Sequence, residues 1–371
     1  MKSLFRNTVT FRILFKASLG DSDLFQVNRH TTSLPTQKQP SLEKMNQNKH
    51  LKLLKSIILI AFLPWLASVR ADDMNTPPKT ETFKILTCNI RHATYDSVDA
   101  KTGNNWDARK EFCAEIILRQ KADIICFQEL AENQFRYLKE KLPGYGWTEM
   151  GGAKPLGKNP ALAIAFRLDR LEKYSSGGYW LSETPHVPGS RSWGSAGIRM
   201  AQWVRLIDKA SGKEFRVLNA HLDHKIQEAC VQQARMLTED GDAYPSDYPQ
   251  ILTGDFNVDT RNPAVELVRK AGWTDSYALI HGDEDPGFTF HQFQGPAYEK
   301  RQTRVDPITF EKIFFAHQTA ENAHFPGMGK MDWIFLHGKV KAEDAEIIRD
   351  DHEGRYPSDH YFVSATVALI P

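Results

Sequence analysis

From residue 83 onward, short apolar runs alternate with segments whose apolar positions recur at helical spacing. Residues 83–89 (FKILTCN) and 124–127 (IICF) have the length and composition of buried strands. Between them, a helix that begins at Trp106 carries its apolar residues on one face. A second helical segment, residues 133–142, ends before Pro143. The chain therefore opens as strand, helix, strand, helix.

The centre and the end of the chain are richer in strands. Residues 203–208 and 214–220 flank a Ser-Gly turn and predict a hairpin. Further elements are predicted as strands at 162–166, 250–253, 331–336, 340–348 and 361–369, and as helices at 226–239 and 263–271. Residues 295–329 have little periodicity and predict a long surface insertion. This mixture predicts an α/β protein built on two packed sheets.

The first 71 residues have a different pattern. A short apolar run at residues 57–67 follows three lysines and precedes the small residues of a Val-Arg-Ala sequence. A basic region, a short apolar core and such a cleavage site predict a secretory signal peptide over residues 45–71. Met45 is then the expected initiator, and residues 1–44 are an over-extended start or a leader. The alternatives are an uncleaved anchor helix and an organelle transit peptide.

Removal of this segment changes the charge of the chain. Residues 1–71 carry 11 Lys and Arg against 3 Asp and Glu, so residues 72–371 carry 36 against 43, a net charge of −7. That balance does not favour polyanion binding through bulk charge, although a local basic groove stays open. Residues 72–82 are polar with two prolines and predict a linker, which leaves residues 83–371 as one domain. The expected location is secreted or periplasmic.

Four cysteines follow the predicted signal peptide: Cys88, Cys113, Cys126 and Cys230. No CxxC pair occurs, which argues against a zinc knuckle. Cys88 and Cys126 lie in apolar runs, so we expect them to be buried as small apolar side chains. The pairing of any disulfide stays open.

Polar residues recur where the predicted strands begin or end. They are Asn89, Glu129, His221, Asp255 with Asn257, Asp332, and Asp359 with His360. Strand ends are rigid and half exposed, so these side chains are expected to face one cleft. Carboxylates, carboxamides and imidazoles without a Ser or Cys nucleophile favour a hard divalent cation and proton transfer by His. Each residue alone also has a structural interpretation, such as an Asx-turn at Asp255 or a core histidine at His221.

The motifs LTCNIR, FQEL, NAHLDH, LTGDFN, MDWIF and PSDHYFV resemble, in order, those of the endonuclease/exonuclease/phosphatase superfamily. The resemblance runs from about residue 83 to the C-terminus. It implies a four-layer α/β sandwich of two mixed sheets with helices outside, and hydrolysis of phosphate esters. Members include exonuclease III-like and pancreatic-type nucleases, neutral sphingomyelinases and inositol polyphosphate 5-phosphatases. The segment YWLSETPHVPGSRSW resembles an exported bacterial subgroup.

The resemblance also implies roles for the motif residues. Glu129 corresponds to the main ligand of Mg²⁺ or Mn²⁺, with Asn89 nearby and Asp359 as a further acidic contributor. Asp255 corresponds to the residue that orients or deprotonates the attacking water. Asn257 would hold a phosphate oxygen or position Asp255.

The two histidines complete the implied catalytic set. His360 would contact the scissile phosphate, and Asp332 would orient its ring. His221 corresponds to a second imidazole that stabilises the pentacovalent state or protonates the leaving oxygen. These roles need no protein partner.

Three positions concern the substrate. Arg91 stands where exonuclease III-like nucleases have an acidic residue near the metal, and it could add a phosphate contact. Cys230 stands where relatives often have arginine. Arg199 is a candidate substrate-side cation, with a structural ion pair as the alternative.

The chemical class of the substrate stays open at this point among nucleic acids, inositol phosphates and lipid headgroups. The net acidity argues against a non-specific nuclease. The sequence contains no long apolar hairpin that would insert into lipid, and no stable membrane span is expected after processing. The alternative to an enzyme is a catalytically inactive ligand-binding module on the same fold.

Overall fold

A computed structural model of the chain describes residues 82–151, 161–298, 303–305, 312–314 and 329–371. These residues belong to one compact unit, Pro77–Pro371. The predicted leader and signal peptide, and all but residue 82 of the predicted linker, lie outside the described residues. Across the described ranges, no helix is both long and apolar enough to cross a membrane.

The strands, numbered in chain order, are β1 (Thr82–Asn89), β2 (Ile124–Gln128), β3 (Tyr145–Met150), β4 (Leu162–Arg167), β5 (Leu171–Trp180), β6 (Met200–Asp208), β7 (Glu214–His221), β8 (Gln250–Asp255), β9 (Thr274–Asp275), β10 (Thr303–Val305), β11 (Lys312–Phe314), β12 (Asp332–His337), β13 (Val340–Ile348) and β14 (Phe362–Leu369). The α-helices are α1 (Asp96–Asp99), α2 (Trp106–Arg119), α3 (Glu132–Lys141), α4 (Gln227–Asp242), α5 (Pro263–Lys270) and α6 (Ser276–His281). Two short 3-10 turns, Ala93–Tyr95 and Ala100–Thr102, flank α1.

Two six-stranded sheets form the centre of the fold. The first has the order β13-β14-β1-β2-β4-β3, and the second has the order β5-β6-β7-β8-β12-β9. Each sheet contains one parallel pair, β1 with β2 and β7 with β8, joined through α2 and α4 respectively. The other neighbours within the sheets are antiparallel. The strands β10 and β11 form a separate two-stranded sheet.

Apolar side chains fill three layers between these elements. A cluster that includes Ile85, Val217 and Ile251 lies between the two sheets. A second cluster packs the first sheet against α2 and α3, and a third packs the second sheet against α4 and α5. The central strands are buried on both faces, which explains their near-continuous apolar sequences. The predicted four-layer α/β sandwich is confirmed.

The predictions for the central elements and for the edge strand β13 agree with the structure, and some peripheral strands have no counterpart among the predictions. The strands β3 and β5 were not predicted from the sequence. Both lie at sheet edges, and β5 has a burial pattern that mixes exposed and half-buried positions along its length. An edge strand has one unpaired side and little apolar periodicity to reveal it. Most of the predicted insertion at 295–329 lies outside the described residues, although β10 and β11 fall within it.

All four cysteines are buried and free. Cys88 and Cys126 lie within β1 and β2, as predicted. Cys230 lies on α4, where its Sγ is 3.7 Å from the Phe256 carbonyl oxygen.

Candidate active site

The predicted site residues lie at one edge of the two sheets. Asn89 and Asp255 end the central strands β1 and β8, and Asp332 begins β12, which runs antiparallel to β8. The carboxyl ends of parallel strands and the amino ends of their antiparallel neighbours point the same way. Residues from both sheets therefore meet at this edge, although they are up to 271 positions apart along the chain, as for Asn89 and His360.

A glycine allows β8 to approach β7 closely beside the site. Gly254 has a φ of +141°, and a Cβ atom added there would lie 1.9 Å from the Ala220 carbonyl oxygen. Only glycine fits such a position. The next residue, Asp255, is thereby aligned with His221 on β7 and with Asp332 on β12.

Asn89 joins the two carboxylates at the centre of the site. Its Nδ2 donates hydrogen bonds to Glu129 Oε1 at 3.1 Å and to Asp255 Oδ2 at 2.9 Å. Its Oδ1 accepts a hydrogen bond from the Arg91 backbone N–H at 3.0 Å. Asn89 therefore bridges the first sheet to the second, while its role as a metal ligand stays a prediction.

Glu129 is held ionised in a left-handed backbone conformation. Its φ is +57°, and its Oε2 accepts a hydrogen bond from the His92 backbone N–H at 3.0 Å. Burial raises the pKa of Glu129, but the His92 N–H, the nearby His360 and the Asn89 amide together bring it below the ordinary value. A non-glycine residue with positive φ is characteristic of sites whose geometry the surroundings impose. The side chain thus presents a carboxylate to the cleft.

His360 is held as a cation by two carboxylates. Its Nδ1 lies 2.9 Å from Asp332 Oδ2, and its Nε2 lies 3.8 Å from Asp255 Oδ2. Burial lowers the pKa of the imidazole, but Asp332 and Asp255 outweigh burial and raise it. The hydrogen bond to Asp332 fixes the ring, so Nε2 faces the site.

His221 faces the same carboxylate in the opposite protonation state. Its Nε2 lies 3.4 Å from Asp255 Oδ2. Burial lowers the pKa of His221 well below its usual range, and the positive charges of Arg199 and of His224, when protonated, lower it further. Burial raises the pKa of Asp255 against the opposing effect of His360. One carboxylate is therefore flanked by a cationic and a neutral imidazole.

Asn257 positions Asp255 through its backbone. Its N–H donates to Asp255 Oδ1 at 2.8 Å, and its φ is +56°, a conformation that asparagine tolerates. Its side-chain Nδ2 donates to the Leu222 carbonyl oxygen at 3.0 Å. These contacts agree with the predicted positioning of Asp255. A contact between Asn257 and a phosphate oxygen stays a prediction.

Asp359 binds an arginine in the structure. Its Oδ2 lies 3.2 Å from Arg91 Nη1. Arg91 also donates to both carboxylate oxygens of Asp99, at 3.1 and 3.2 Å, and its guanidinium lies 4.0 Å above the Tyr95 ring. The positive charge of Arg91 thus stands between two carboxylates. The proposed contribution of Asp359 to metal binding, and that of Arg91 to substrate binding, stay predictions.

Arg199 lies beside His221 and is 8% exposed. Its Nη2 is 2.8 Å from His224 Nδ1. None of the carboxylates in the described ranges forms an ion pair with it, which argues against the structural alternative considered above. Its role as a substrate-side cation stays a prediction.

The donor set fits a divalent cation. Ligand atoms of Glu129, Asp255 and His221 lie within 4.8 Å of one another. Two carboxylates suit a hard cation that keeps several waters, and these waters leave room for a phosphate oxygen. A second group, of Asp255, Asp332 and His360, is equally compact. There, however, His360 Nδ1 and Asp332 already bind each other.

Sequence reasoning missed Arg109, a residue that supports the site from α2. Arg109 is 1% exposed, and its guanidinium donates to the carbonyl oxygens of Ile90 and Pro357 at 2.7 Å and of Arg91 at 2.8 Å. It thereby ties the loop after β1 to the PSDH segment. A charged residue on the buried face of a predicted helix is the signal that could have found it.

Thr289 was missed as well and has no local signal. Its Oγ1 accepts hydrogen bonds from the Met331 and Asp332 backbone N–H groups at 2.9 and 3.3 Å. Its carbonyl oxygen accepts one from the Tyr361 N–H at 2.8 Å. Thr289 therefore links the two segments that carry Asp332 and His360.

Comparisons with known proteins agree with this geometry. A family model described as "Endonuclease/Exonuclease/phosphatase family" matches residues 86–360. The uncharacterized protein L388 of Acanthamoeba polyphaga mimivirus is 30% identical over 190 residues, which cover 48% of this chain and 68% of that protein.

Two solved structures from Bacteroides thetaiotaomicron are similar over most of the chain. An endonuclease/exonuclease/phosphatase family protein aligns with a TM-score of 0.63 and 26% identity, covering 79% of this chain and 100% of that one. A mannosyl-6-phosphatase aligns with a TM-score of 0.62 and 26% identity, covering 77% and 100%. Because the family model matches most of the length of this chain, the chain belongs to the endonuclease/exonuclease/phosphatase family.

Proposed function

We propose that the chain is a divalent-cation-dependent hydrolase of phosphate esters. The observation that carries the proposal is the buried carboxylate of Asp255, which lies between the imidazolium of His360 and the neutral imidazole of His221. The Asn89 amide donates to this carboxylate and also to Glu129. Titratable groups whose surroundings drive their pKa values apart are typical of acid–base catalysis. The alternative, an inactive binding module, would not need this arrangement.

His360 supplies positive charge where the reaction builds negative charge. Its Nε2–H would donate to a non-bridging phosphate oxygen, because Asp332 holds Nδ1 on the other side of the ring. The charge of the imidazolium stabilises the pentacovalent state more than the ground state. Asp332 acts through His360 and is a positioning residue.

Asp255 accepts the proton of the attacking water. Two donors orient its carboxylate, the Asn257 N–H at 2.8 Å and Asn89 Nδ2 at 2.9 Å. Its raised pKa makes it a stronger base than an exposed aspartate. His221, which is neutral, can hydrogen-bond the leaving oxygen as the ester bond breaks.

Glu129 would hold the cation as its main ligand, beside the Asn89 amide that it binds. When bound, Mg²⁺ or Mn²⁺ neutralises charge on the phosphate oxygens as a Lewis acid. Glu129 is suited to this because its pKa is depressed, so it stays ionised at neutral pH.

The similarity to a mannosyl-6-phosphatase supports small phosphate esters as substrates. The net charge of −7 on residues 72–371 also favours them over nucleic acid. The family also includes nucleases, and these two observations make nuclease activity the less favoured candidate.

The test is hydrolysis of a panel of mono- and diesters by the purified protein with Mg²⁺ or Mn²⁺. We expect turnover that EDTA abolishes and added cation restores. The Asp255→Asn variant, prepared in the same way, controls for a contaminating phosphatase. Full turnover in EDTA, or equal turnover by the variant, would contradict the proposal.

We also propose that the chain is exported after cleavage near residue 71. The lysine-flanked apolar run at 57–67 and the Val-Arg-Ala sequence support this. N-terminal sequencing of protein recovered outside the cytoplasm should begin at or near Asp72. A cytoplasmic chain that retains Met1 would contradict it.

A further inference from the structure

A cleft of about 600 Å³ opens next to the candidate active site. Arg91 and Asp359 line it, and so does Phe290, whose ring centroid lies 5.0 Å from that of His360. Phe290 also pairs with His360 through a backbone bridge. A phosphate bound at His360 would therefore have its esterified group at the mouth of this cleft.

The charges in the cleft are unsuited to a polyanion. Arg91 is the sole cation among the described lining residues, and it is paired with both Asp99 and Asp359. One cation between two carboxylates leaves the lining without positive charge to offer to further phosphates. The affinity of proteins for nucleic acids rests largely on Lys and Arg side chains that neutralise phosphates. The cleft instead suits an uncharged group.

The remaining lining residues combine neutral polar groups with two aromatic rings. Asn104 Nδ2 donates to Thr102 Oγ1 at 3.0 Å, and Thr102 Oγ1 donates to the Asp99 carbonyl oxygen at 3.1 Å. This pair presents the Asn104 Oδ1 acceptor, Gln294 adds a second amide, and Phe290 and Phe293 add aromatic rings to the lining. Gln294 Oε1 is buried and has no hydrogen-bond partner among the described residues. A buried acceptor of this kind is unfavourable unless a donor reaches it. A ligand hydroxyl in the cleft would be such a donor.

The loop that carries Phe290, Phe293 and Gln294 is fastened to the catalytic PSDH segment. The backbone N–H groups of His291 and Gln292 both donate to the Asp359 carbonyl oxygen, at 2.7 and 3.1 Å. Gln292 and Phe293 have φ values of +51° and +59°, which only imposed contacts maintain in such residues. The cleft and the catalytic histidine are thus held in one arrangement, as a substrate pocket requires.

We propose that this cleft binds the alcohol portion of the substrate, and that this portion is a neutral, polyhydroxylated ring, so that the substrate is a sugar phosphate. Ring hydroxyls would bond Asn104, Gln294 and Thr102, and the C–H face of the ring would pack on Phe290 or Phe293. The inference rests on the proposed function. It adds the class of group that the enzyme selects.

The test compares kcat/KM for esters that share a phosphate and differ in the attached group. The panel contains glucose 6-phosphate, mannose 6-phosphate, adenosine monophosphate, inositol hexakisphosphate, a short oligonucleotide and p-nitrophenyl phosphate, which has no hydroxyl. We expect at least one hexose phosphate to exceed all other compounds. A preference for the nucleotide, the oligonucleotide or the inositol hexakisphosphate would overturn the inference.

Two variants locate the preference in the cleft. Asn104→Leu and Gln294→Leu should each lower kcat/KM for the hexose phosphate by roughly fivefold to tenfold, the equivalent of one neutral hydrogen bond. Turnover of p-nitrophenyl phosphate, which has no hydroxyl to lose a bond, should fall less than that of the hexose phosphate. Thermal melts show whether the variants are folded. Gln232→Leu, on α4 and bonded to Glu228, is the matched control and should change neither.

The outcomes separate the two proposals. If p-nitrophenyl phosphate and the other esters are all inert with added cation, the proposed function itself fails. If p-nitrophenyl phosphate is hydrolysed but both cleft variants reduce it and the hexose phosphate equally, only the assignment of the cleft fails.

Discussion

At the scale of single residues, Asp332 has one visible task, which is to hold the imidazole of His360. We predict that His360→Ala lowers kcat on the order of 10²–10⁴-fold with little change in KM. Asp332→Asn should cost less alone, and almost nothing when His360 is already Ala. Steady-state kinetics of the two single variants and the double variant measure this coupling.

The structural alternative for this pair makes a different prediction. If both residues serve mainly to fold the protein, their variants lose melting temperature instead of turnover. Thermal melts of each variant therefore accompany the kinetics. Additive losses of kcat in the double variant would separate Asp332 from His360.

Arg91 places a fixed positive charge between Asp359 and Asp99. We predict that Arg91→Asp adds a cation site, because the three carboxylates would then face one another without the guanidinium. Titration calorimetry with Mn²⁺ should show one bound ion in the parent protein and two in the variant. In EDTA the variant should melt at a lower temperature than the parent, because the guanidinium that separates the carboxylates of Asp99 and Asp359 is gone and a third carboxylate repels them.

The matched control is Arg119→Asp, which makes the same change of charge at an exposed ion pair with Glu115 and Asp350. It should leave the Mn²⁺ stoichiometry at one. An Arg91→Asp protein that is folded and still binds a single Mn²⁺ would contradict the prediction.

At the scale of elements, α2 supports the site through Arg109. The guanidinium satisfies the buried carbonyl oxygens of Ile90 and Pro357 and donates to the part-buried one of Arg91. Arg109→Met should lower the free energy of unfolding by on the order of 3–5 kcal/mol, because the buried oxygens of Ile90 and Pro357 lose this charged donor at once. Urea denaturation measures this loss.

The comparison for Arg109 is Arg136→Met on α3, whose side chain is 74% exposed. That change should stay within about 0.5 kcal/mol of the parent protein. Equal stability of the two variants would remove the supporting role of Arg109. Arg109→Lys should recover only part of the loss, since one ammonium cannot reach acceptors on both segments.

At the scale of the whole molecule, the site joins the two sheets. Glu129 follows β2 of the first sheet, and Asn89 joins it to Asp255 at the end of β8 in the second sheet, so a cation held at Glu129 would lie where the two sheets meet. A ligand that binds only the folded state stabilises it, by about 2.7 kcal/mol at 100 times its Kd. We therefore expect Mn²⁺ to raise the melting temperature of the parent protein and not that of Glu129→Gln.

Glu132→Gln is the control for this measurement, because Glu132 is an exposed acid in the first turn of α3. Its melting temperature should respond to Mn²⁺ as that of the parent protein does. A Glu129→Gln protein with an undiminished Mn²⁺ response would show that the cation binds elsewhere.

The two sheets are also joined by a buried polar contact of a motif residue that has no catalytic role. Asn219, the first residue of NAHLDH, donates to the Phe127 carbonyl oxygen at 2.9 Å and accepts from Gln128 Nε2 at 2.7 Å. The contact fixes the position of β7 on β2, and with it the distance between His221 and Glu129. Part of the motif therefore serves to align the sheets.

The central strands and helices and the polar residues at the strand ends follow from the local pattern of the sequence. Apolar periodicity is a local property, so a buried strand or an amphipathic helix shows it before its packing partners are known. The strands β1, β2, β7 and β8 and the helices α2 and α4 were predictable for this reason. The edge strand β5 was not, because its exposed and half-buried positions do not alternate with apolar ones.

The contacts among the site residues follow from the packing of the two sheets and are not encoded locally. Arg91 binds Asp359 across more than 260 positions of sequence, and His360 binds Asp332 rather than another carboxylate nearby. The left-handed backbone at Glu129 and Asn257 and the cleft formed by residues 290–294 also have no local signal. Such features depend on how two sheets align face to face, and the pattern of polar and apolar residues within one strand does not encode that alignment.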